Sequence, residues 1–336
     1  MRQPIIDRDL HIRAIDAYVD PSVPRERAII THGHADHARS GHGAVLATPD
    51  TIAIMKVRYG EDCAGRFEAL DFGVPMHLEG GVTITFFPAG HILGSAQVLI
   101  EQDGQRVVVT GDYKRLHDRT AQPYELVECD LLITEATFGL PVFQHPPPQV
   151  EIGRLLASVA KQPERAHLIG CYSLGKAQRV IALLRDAGWD APIYLHGAMI
   201  RLCALYEELG VPLGELVPAT GMPKAAMAGQ IVIAPPSAIR DRWSRRFPDP
   251  VVCQASGWMS VKQRARQALV ELPLVISDHC DWGELNQTVR ETRAETVWVT
   301  HGREDALVYW CRQQGLEADA LNIIGFEDDG GEVTEE

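Results

Sequence analysis

The chain has little that would let its cysteines work together. Its seven cysteines, at 63, 129, 171, 203, 253, 280 and 311, are scattered, odd in number and free of CxxC spacing. That speaks against a cysteine-held zinc cluster and a disulfide framework, and fits a reducing, cytoplasmic setting. No run of about 18 apolar residues occurs, so no membrane span is expected. The opening MRQPIIDRDLHIRAID is polar and mixed in charge. It lacks the apolar core of a signal peptide. There is no internal repeat, no low-complexity tract and no obvious Ser or Cys nucleophile motif. Positive net charge is missing too: 32 Lys+Arg against 45 Asp+Glu give −13 at pH 7. Taken alone, that balance argues against a nucleic-acid partner.

What is present narrows the field. A length of 336 residues suits two domains. The 46% hydrophobic and 23% charged content is that of an ordinary globular chain. Such a chain buries a large core without staples. The charge is uneven. Residues 146–270 carry 15 Lys+Arg against 9 Asp+Glu, whereas the rest carries 17 against 36. A regional basic excess fits a polyanion-binding surface, and it equally fits solvated arginines on helices.

The pattern of elements changes once. Residues 13–21 and 26–31 read as short strands, with HADHARSGH as a loop entering a helix. VTITFFP (82–88) alternates. AQVLIE (96–101) and QRVVVT (105–110) flank QDG as a hairpin. CDLLITE (129–135) is an apolar run ending on a carboxylate. HPPPQ (145–149) then breaks the chain. From VEIGRLLASVAK (150–161) onward, strands and helices alternate, the signature of a parallel α/β unit. LPLVISDHCDW and AETVWVTHG return to strands with polar ends. The acidic tail EDDGGEVTEE is expected to be mobile.

The densest chemistry lies in THGHADHARSGH (31–42). His32, His34, Asp36 and His37 form HxHxDH. A tight loop after a strand turns such side chains toward one point, and imidazole and carboxylate suit zinc or manganese. His42 falls outside the pattern and reads as a helix-face histidine. One loop cannot saturate two ions, so further ligands are expected at other strand ends. His91 in PAGHILGSA, Asp112 in VVVTGDYK and His301 in VWVTHG stand in that setting. Each alone is a weak signal, because strand-end histidines are often structural.

HxHxDH, a downstream GH, TGD and a final THG resemble the metallo-β-lactamase fold of binuclear hydrolases. TEATFG (134–139), SLGKAQ (173–178), SGWM (256–259), SDHCDW (277–282) and VTHG resemble the β-CASP nucleases within it. The nearest likeness is to the ligase-associated DNA exonucleases of bacteria, over about Asp16 to Phe326. The resemblance implies an α/β chain: a metallo-β-lactamase αββα sandwich (1–145 and 271–336) with an inserted β-CASP α/β domain (146–270). It implies two divalent ions, Zn2+ or Mn2+. His32, His34 and His91 would hold one ion, Asp36, His37 and His301 the other, and Asp112 would bridge. Asp20 in YVDP would orient a ligand from behind, with Asp16 as competitor. Glu135 and His279 would sit beside the metals, His279 positioning phosphate or protonating the leaving oxygen. Glu135 also reads as a strand-end cap. In the insert, Ser173, Lys176 and Arg179 at a strand–turn–helix junction suit phosphate. Ser256 and Gly257 would bring backbone donors to another. RDRWSRRF (240–247) mixes arginines and aromatics, equally a base-stacking surface and an ordinary solvated segment.

The implied activity is metal-dependent DNA exonuclease action in repair. Three alternatives stay open: an RNA nuclease of the same family, a small-molecule hydrolase of the same fold, and a non-catalytic scaffold. The long gap from 135 to 277 argues against the second, and the full ligand set against the third. His301 pulls toward RNA enzymes, while the wording of SDHCDW and VWVTHG pulls toward DNA. Single-stranded DNA is the favoured substrate, and separately encoded ligase or helicase partners are expected.

Overall fold

A computed structural model describes residues 5–321; the acidic tail, 327–336, lies outside the described residues. The chain divides into two compact units. One runs up to Phe143 and resumes at His279; the other runs from Gln144 to Asp278. The division therefore falls before the prolines of HPPPQ, which lead directly into the helix Pro148–Lys161. The second boundary lies at His279 rather than at 271, because Leu272–Leu274 is an edge strand of the second unit's sheet.

The first unit contains two sheets. Five strands, His11–Ile12, Ala17–Val19, Arg27–Ile29, His42–Ala47 and Ala64–Ala69, lie side by side in chain order. The first pair is antiparallel and the rest are parallel. A parallel step needs a crossover, which the helix Pro49–Tyr59 supplies between the last two strands. Thr48 caps that helix by accepting from Thr51 N–H, and Pro49 takes the first helical position, where no donor is needed.

The second sheet has seven strands. Met76–His77, Thr83–Pro88, Ala96–Gln102, Gln105–Val109, Leu131–Ala136, Thr296–Gly302 and Glu317–Ala320 are neighbours in that order. The Ala96–Gln102 and Gln105–Val109 pair is the hairpin expected around QDG. The strand Leu131–Ala136 pairs with Thr296–Gly302, so this sheet joins the sequence before the second unit to the sequence after it. Every residue of Leu131–Ala136 is buried. Both its faces are covered, which is why its apolar run does not alternate.

Alternation along the strands sorts three cores. Val19 and Ile29 of the first sheet pack with Ile84, Phe86, Val98, Ile100 and Ile133 of the second. On the other face of the second sheet, Val108, Leu132, Val297 and Val299 meet Leu285, Val289, Leu307 and Cys311 of the helices Trp282–Glu291 and Glu304–Gln313. Ala28, Val45 and Ala47 of the first sheet meet Ile52 and Met55 of Pro49–Tyr59.

The second unit is the parallel α/β body that its alternating pattern indicates. Its six strands are ordered Leu216–Pro218, Ile193–Leu195, Ile231–Ala234, His167–Gly170, Val251–Ala255, Leu272–Leu274, and every pairing is parallel. Helices Lys176–Asp186 and Gly197–Glu208 connect successive strands.

Two expectations need correction. No helix follows HxHxDH; the chain turns and enters the strand His42–Ala47. His42 is thus a strand residue, buried, and its Nδ1 accepts Arg25 N–H at 3.1 Å. The histidine spacing resembled a helix face only because a tight turn also brings nearby residues together.

Candidate metal centre

The dense loop begins where the strand Arg27–Ile29 ends. It folds on one carbonyl: His34 C=O accepts from His37 N–H at 3.2 Å and Ala38 N–H at 2.7 Å. Arg58 donates to Gly33 C=O at 2.7 Å and pins the turn from outside. This turn sends His32 and His34 to one side, where His91 joins them. His32 Nε2 lies 3.2 Å from His34 Nδ1, and His91 Nε2 lies 3.0 Å from the same atom. Asp112 Oδ2 is 3.3 Å from His32 Nε2 and 3.7 Å from His91 Nε2.

These spacings test whether a metal fits. A tetrahedral ion with bonds of about 2.0–2.1 Å sets its ligand atoms about 3.3 Å apart. The four donors here stand 3.0 to 3.7 Å apart along those contacts. His32, His91 and Asp112 are buried and His34 is half-buried. Three ring nitrogens and a carboxylate oxygen converging in a buried place are the donor set of a divalent cation.

A second group shares Asp112. Its Oδ2 is 3.5 Å from His37 Nε2, which also lies 3.7 Å from Asp36 Oδ2. His301 stacks on His37 with ring centroids 4.9 Å apart. Asp112 is thus the carboxylate within 3.7 Å of His32, His37 and His91 alike.

Behind the histidines sits Asp20. It is buried and accepts from Thr31 N–H at 2.8 Å, from the Thr31 hydroxyl and from His37 Nδ1 at 2.7 Å. Holding Nδ1–H presents His37 Nε2 to the centre. Asp16 takes no part: its carboxylate meets His11 Nε2 at 2.9 Å on the surface. Thr31, which the sequence reading passed over, links Asp20 to His32 Nδ1 at 3.0 Å. Its only sequence signal is its place before HGH. Asp20→Ala is expected to weaken metal binding ~10–100-fold, the usual effect of losing such a partner. Metal per chain after dialysis against graded chelator measures it.

Burial and mutual charge act strongly on these groups. Burial opposes charge on His37, yet Asp112, Asp36 and Asp20 together raise its pKa to about 10. Burial and the surrounding histidines hold His32 well below the ordinary histidine range. Burial, aided by His37, also holds His301 well below it. Burial pushes Asp112 well above the ordinary carboxylate range, against the pull of His37. Burial opposes the charge on Asp36, but His37, His34 and His301 outweigh it and lower its pKa.

Two backbone features bring His301 and Asp112 to the histidine loop. In the parallel pair, Glu135 aligns with Thr300 and Ala136 with Gly302, so His301 is an extra residue in a bulge. It sits at φ +57°, a left-handed conformation, and the bulge re-aims its side chain. At Gly111, φ is +54° and an added Cβ would lie 2.6 Å from Thr31 Oγ1. Only glycine lets TGD approach the histidine loop so closely.

Beside the centre, the buried Glu135 receives His279 Nδ1 at 3.0 Å on each oxygen and Tyr113 N–H at 3.0 Å on Oε1. Glu135, His279 and Asp112 place one ligand-type atom each within 4.8 Å of one another. Glu135 therefore caps a backbone donor and orients a histidine at once. By holding Nδ1, Glu135 fixes the orientation of the His279 ring.

The residues read as phosphate-binding lie in the second unit. Ser173 and Lys176 stand at the turn into the helix Lys176–Asp186, and Arg179 lies one turn further in. All three are buried. Lys176 pairs with Asp278, and Arg179 donates to Ser277 C=O at 2.8 Å. Both cations are spent on the two residues that precede His279 in sequence. Ser256 caps a short 3-10 turn through Trp258 N–H at 3.3 Å, and Gly257 is buried in that turn. In RDRWSRRF, Trp243 packs edge-on against Phe247 at 5.1 Å and His196 at 4.8 Å. Lys176→Ala strips the buried Asp278 carboxylate of its lysine. It is expected to cost ~3–5 kcal/mol of stability, read from denaturant unfolding.

No family model matches the chain. Individual proteins do. A protein named "Probable DNA ligase" from Opitutus terrae is 30% identical over 317 residues, 93% of this chain and 30% of its own length. "Endoribonuclease YSH1" of Mycosarcoma maydis is 31% identical over 218 residues, 52% of this chain and 24% of its own. An "RNase J-like protein" of Methanocaldococcus jannaschii is 26% identical over 212 residues, 54% of this chain and 49% of its own. The chain thus spans half or less of each of these relatives. Among solved structures, a protein of unknown function from Enterococcus faecalis V583 matches with a TM-score of 0.53. At 11% identity, over 81% of this chain and 74% of that one, the likeness is one of fold alone. The likeness to these relatives is consistent with the metallo-β-lactamase β-CASP nuclease family, the one its motifs resemble.

Proposed function

We propose that this chain is a metal-dependent nuclease that hydrolyses phosphodiesters, with single-stranded DNA as substrate. The observation that carries the reading is the convergence on Asp112 of His32, His91 and His37, with the Glu135–His279 pair alongside. The proposal takes the first unit as a metallo-β-lactamase αββα sandwich and the second as an inserted β-CASP domain. His32, His34, His91 and Asp112 would hold one divalent cation, Zn2+ or Mn2+. Asp36, His37 and His301 would hold a second, with Asp112 between them. When bound, such ions offset phosphate charge and make water a stronger nucleophile at neutral pH.

The chain's own residues supply the rest. Asp20 fixes the ring of His37. Glu135 fixes the ring of His279, whose Nε2 gives a proton to the departing oxygen as the P–O bond breaks and regains one from solvent. Lys176 and Arg179 are assigned to holding Ser277 and Asp278, not to binding phosphate directly. Ser173, Ser256 and Gly257 remain candidates for substrate contact.

DNA is favoured because the relative named for DNA aligns across 93% of the chain, while those named for RNA align across 52% and 54%. Partnership with a ligase is proposed on the same relative, and exonuclease action in repair on the motifs' likeness to the ligase-associated DNA exonucleases. RNA is the second reading, motivated by His301 and by the relatives named as ribonucleases. No helix among the described residues is long and apolar enough to cross a membrane. A cytoplasmic location is part of the proposal.

The test uses purified protein with manganese or zinc on matched DNA and RNA single strands labelled at either end, with Asp36→Ala/His37→Ala as control. Shortening of DNA, absent in the control, supports the proposal and gives the polarity. Degradation of RNA alone moves the chain to the second reading. Two bound metals with no cleavage of either strand sinks the nuclease reading in favour of a small-molecule hydrolase.

A further inference from the structure

We propose that the Lys114–Glu284 ion pair is a positioning device that sets His279 against Asp112. The inference rests on the nuclease reading given above. It begins with Tyr113, whose backbone bonds Glu135 at one end and the residue after His279 at the other. Its N–H donates to Glu135 Oε1 at 3.0 Å, the carboxylate that holds His279 Nδ1. Its C=O accepts from Cys280 N–H at 2.9 Å. The residues on either side of Tyr113 are Asp112 and Lys114. Lys114 N–H donates to Ala89 C=O at 2.9 Å, two residues before His91. One short segment therefore registers Asp112, His91 and His279 together.

Lys114 locks that register. Its side chain is buried, and Nζ pairs with Glu284 Oε2. Glu284 has further tasks. Its Oε1 accepts from Leu116 N–H at 3.0 Å, and its Oε2 accepts from Asp281 N–H at 3.1 Å. Asp281 returns the favour by accepting from Glu284 N–H at 3.0 Å. This capping box fixes the first turn of the helix Trp282–Glu291, three residues after His279. Arg115 adds a second clasp to the same helix, through Thr288 Oγ1 at 3.2 Å and Glu291. Sequence reading missed both partners, although D-x-x-E at 281–284 is a visible capping signature.

A buried ion pair contributes little net stability, because desolvation cancels most of the attraction. What this one contributes is a fixed geometry. Apolar packing alone would let the Asp112 segment slide along the helix. The directional bonds of Lys114 and Glu284 do not.

The test is Lys114→Met/Glu284→Gln, which removes both charges together and leaves Gln one oxygen to accept one of the two backbone bonds. Two substrates are compared: a DNA oligonucleotide, and a p-nitrophenyl phosphodiester of thymidine, whose leaving group needs no proton. Expected for the oligonucleotide is a kcat lower by about 10–100-fold with KM and metal content unchanged, the scale of a lost orienting partner. Expected for the p-nitrophenyl ester is a much smaller loss. Amide exchange at Cys280 should quicken, because its bond to Tyr113 is no longer clamped. Equal loss on both substrates, loss of metal, or unchanged kcat with unchanged Cys280 exchange each overturns the proposal. If the wild-type protein cleaves neither substrate, the nuclease reading fails separately. Cys280 exchange then decides alone: faster exchange supports the clamp, and unchanged exchange overturns it.

Discussion

Asp112→Asn is expected to lower hydrolysis by on the order of 10^3-fold or more, the value of losing several kcal/mol of charge stabilisation at a metal-assisted reaction. Asparagine keeps the shape and one oxygen of the side chain. It loses the negative charge, and its amide presents hydrogens where the centre needs a lone pair. Asp112 Oδ2 lies 3.3 to 3.7 Å from His32, His37 and His91. This carboxylate faces histidines of both groups. The variant should therefore lose metal from the pair as a unit, and metal analysis should find well under the wild-type content per chain. A single-ligand change such as His34→Ala should spare more of it. Wild-type metal content and rate in Asp112→Asn would remove Asp112 from the centre. Because Asp112 is buried and carboxylate charge there is costly, the same variant should not be less stable in the metal-free protein. That contrast separates a functional carboxylate from a structural one.

How much of this was legible in the chain depends on the scale of the feature. The cluster at HxHxDH could be read because its residues are close in sequence, and strand-end positions suggested that His91, Asp112 and His301 would join it. The mixed α/β character and the parallel second body followed from periodicity. What could not be read is how the ends are aimed. His301 reaches His37 through a bulge between Glu135 and Ala136, and a bulge has no periodic signature. His42 was misplaced because a turn and a helix both bring nearby residues together; only the backbone distinguishes them. Lys176 and Arg179 invited a phosphate reading as cations at a helix start. Their actual partners, Asp278 and Ser277, are about a hundred residues away in sequence, where local pattern is silent. Likewise, nothing near Lys114 in sequence announces Glu284. Long-range pairing of charged groups is the part of a fold that local physics least determines.

His279→Ala carries the second large effect, and it divides two roles that the geometry leaves joined. A lost proton donor costs about 10^2–10^4-fold in rate. If His279 Nε2 supplies the proton, kcat for an oligonucleotide should fall by that much with KM nearly constant. The p-nitrophenyl ester should then be almost unaffected, since its departing oxygen is stable without a proton. A histidine that only grips phosphate would give the opposite signature: KM rises, and both substrates suffer alike. Glu135→Gln sharpens the comparison. Glutamine can still accept from Tyr113 N–H and, through its one oxygen, from His279 Nδ1. It cannot stabilise an imidazolium as a carboxylate does, so its loss should be smaller than that of His279→Ala and confined to the same substrate. Metal content should be unchanged in both variants if the His32–His34–His91–Asp112 group holds the ion without them, even though both side chains also come within 4.8 Å of Asp112. Loss of metal in His279→Ala would instead make the histidine part of the centre's own wall, and the proton would have to come from elsewhere.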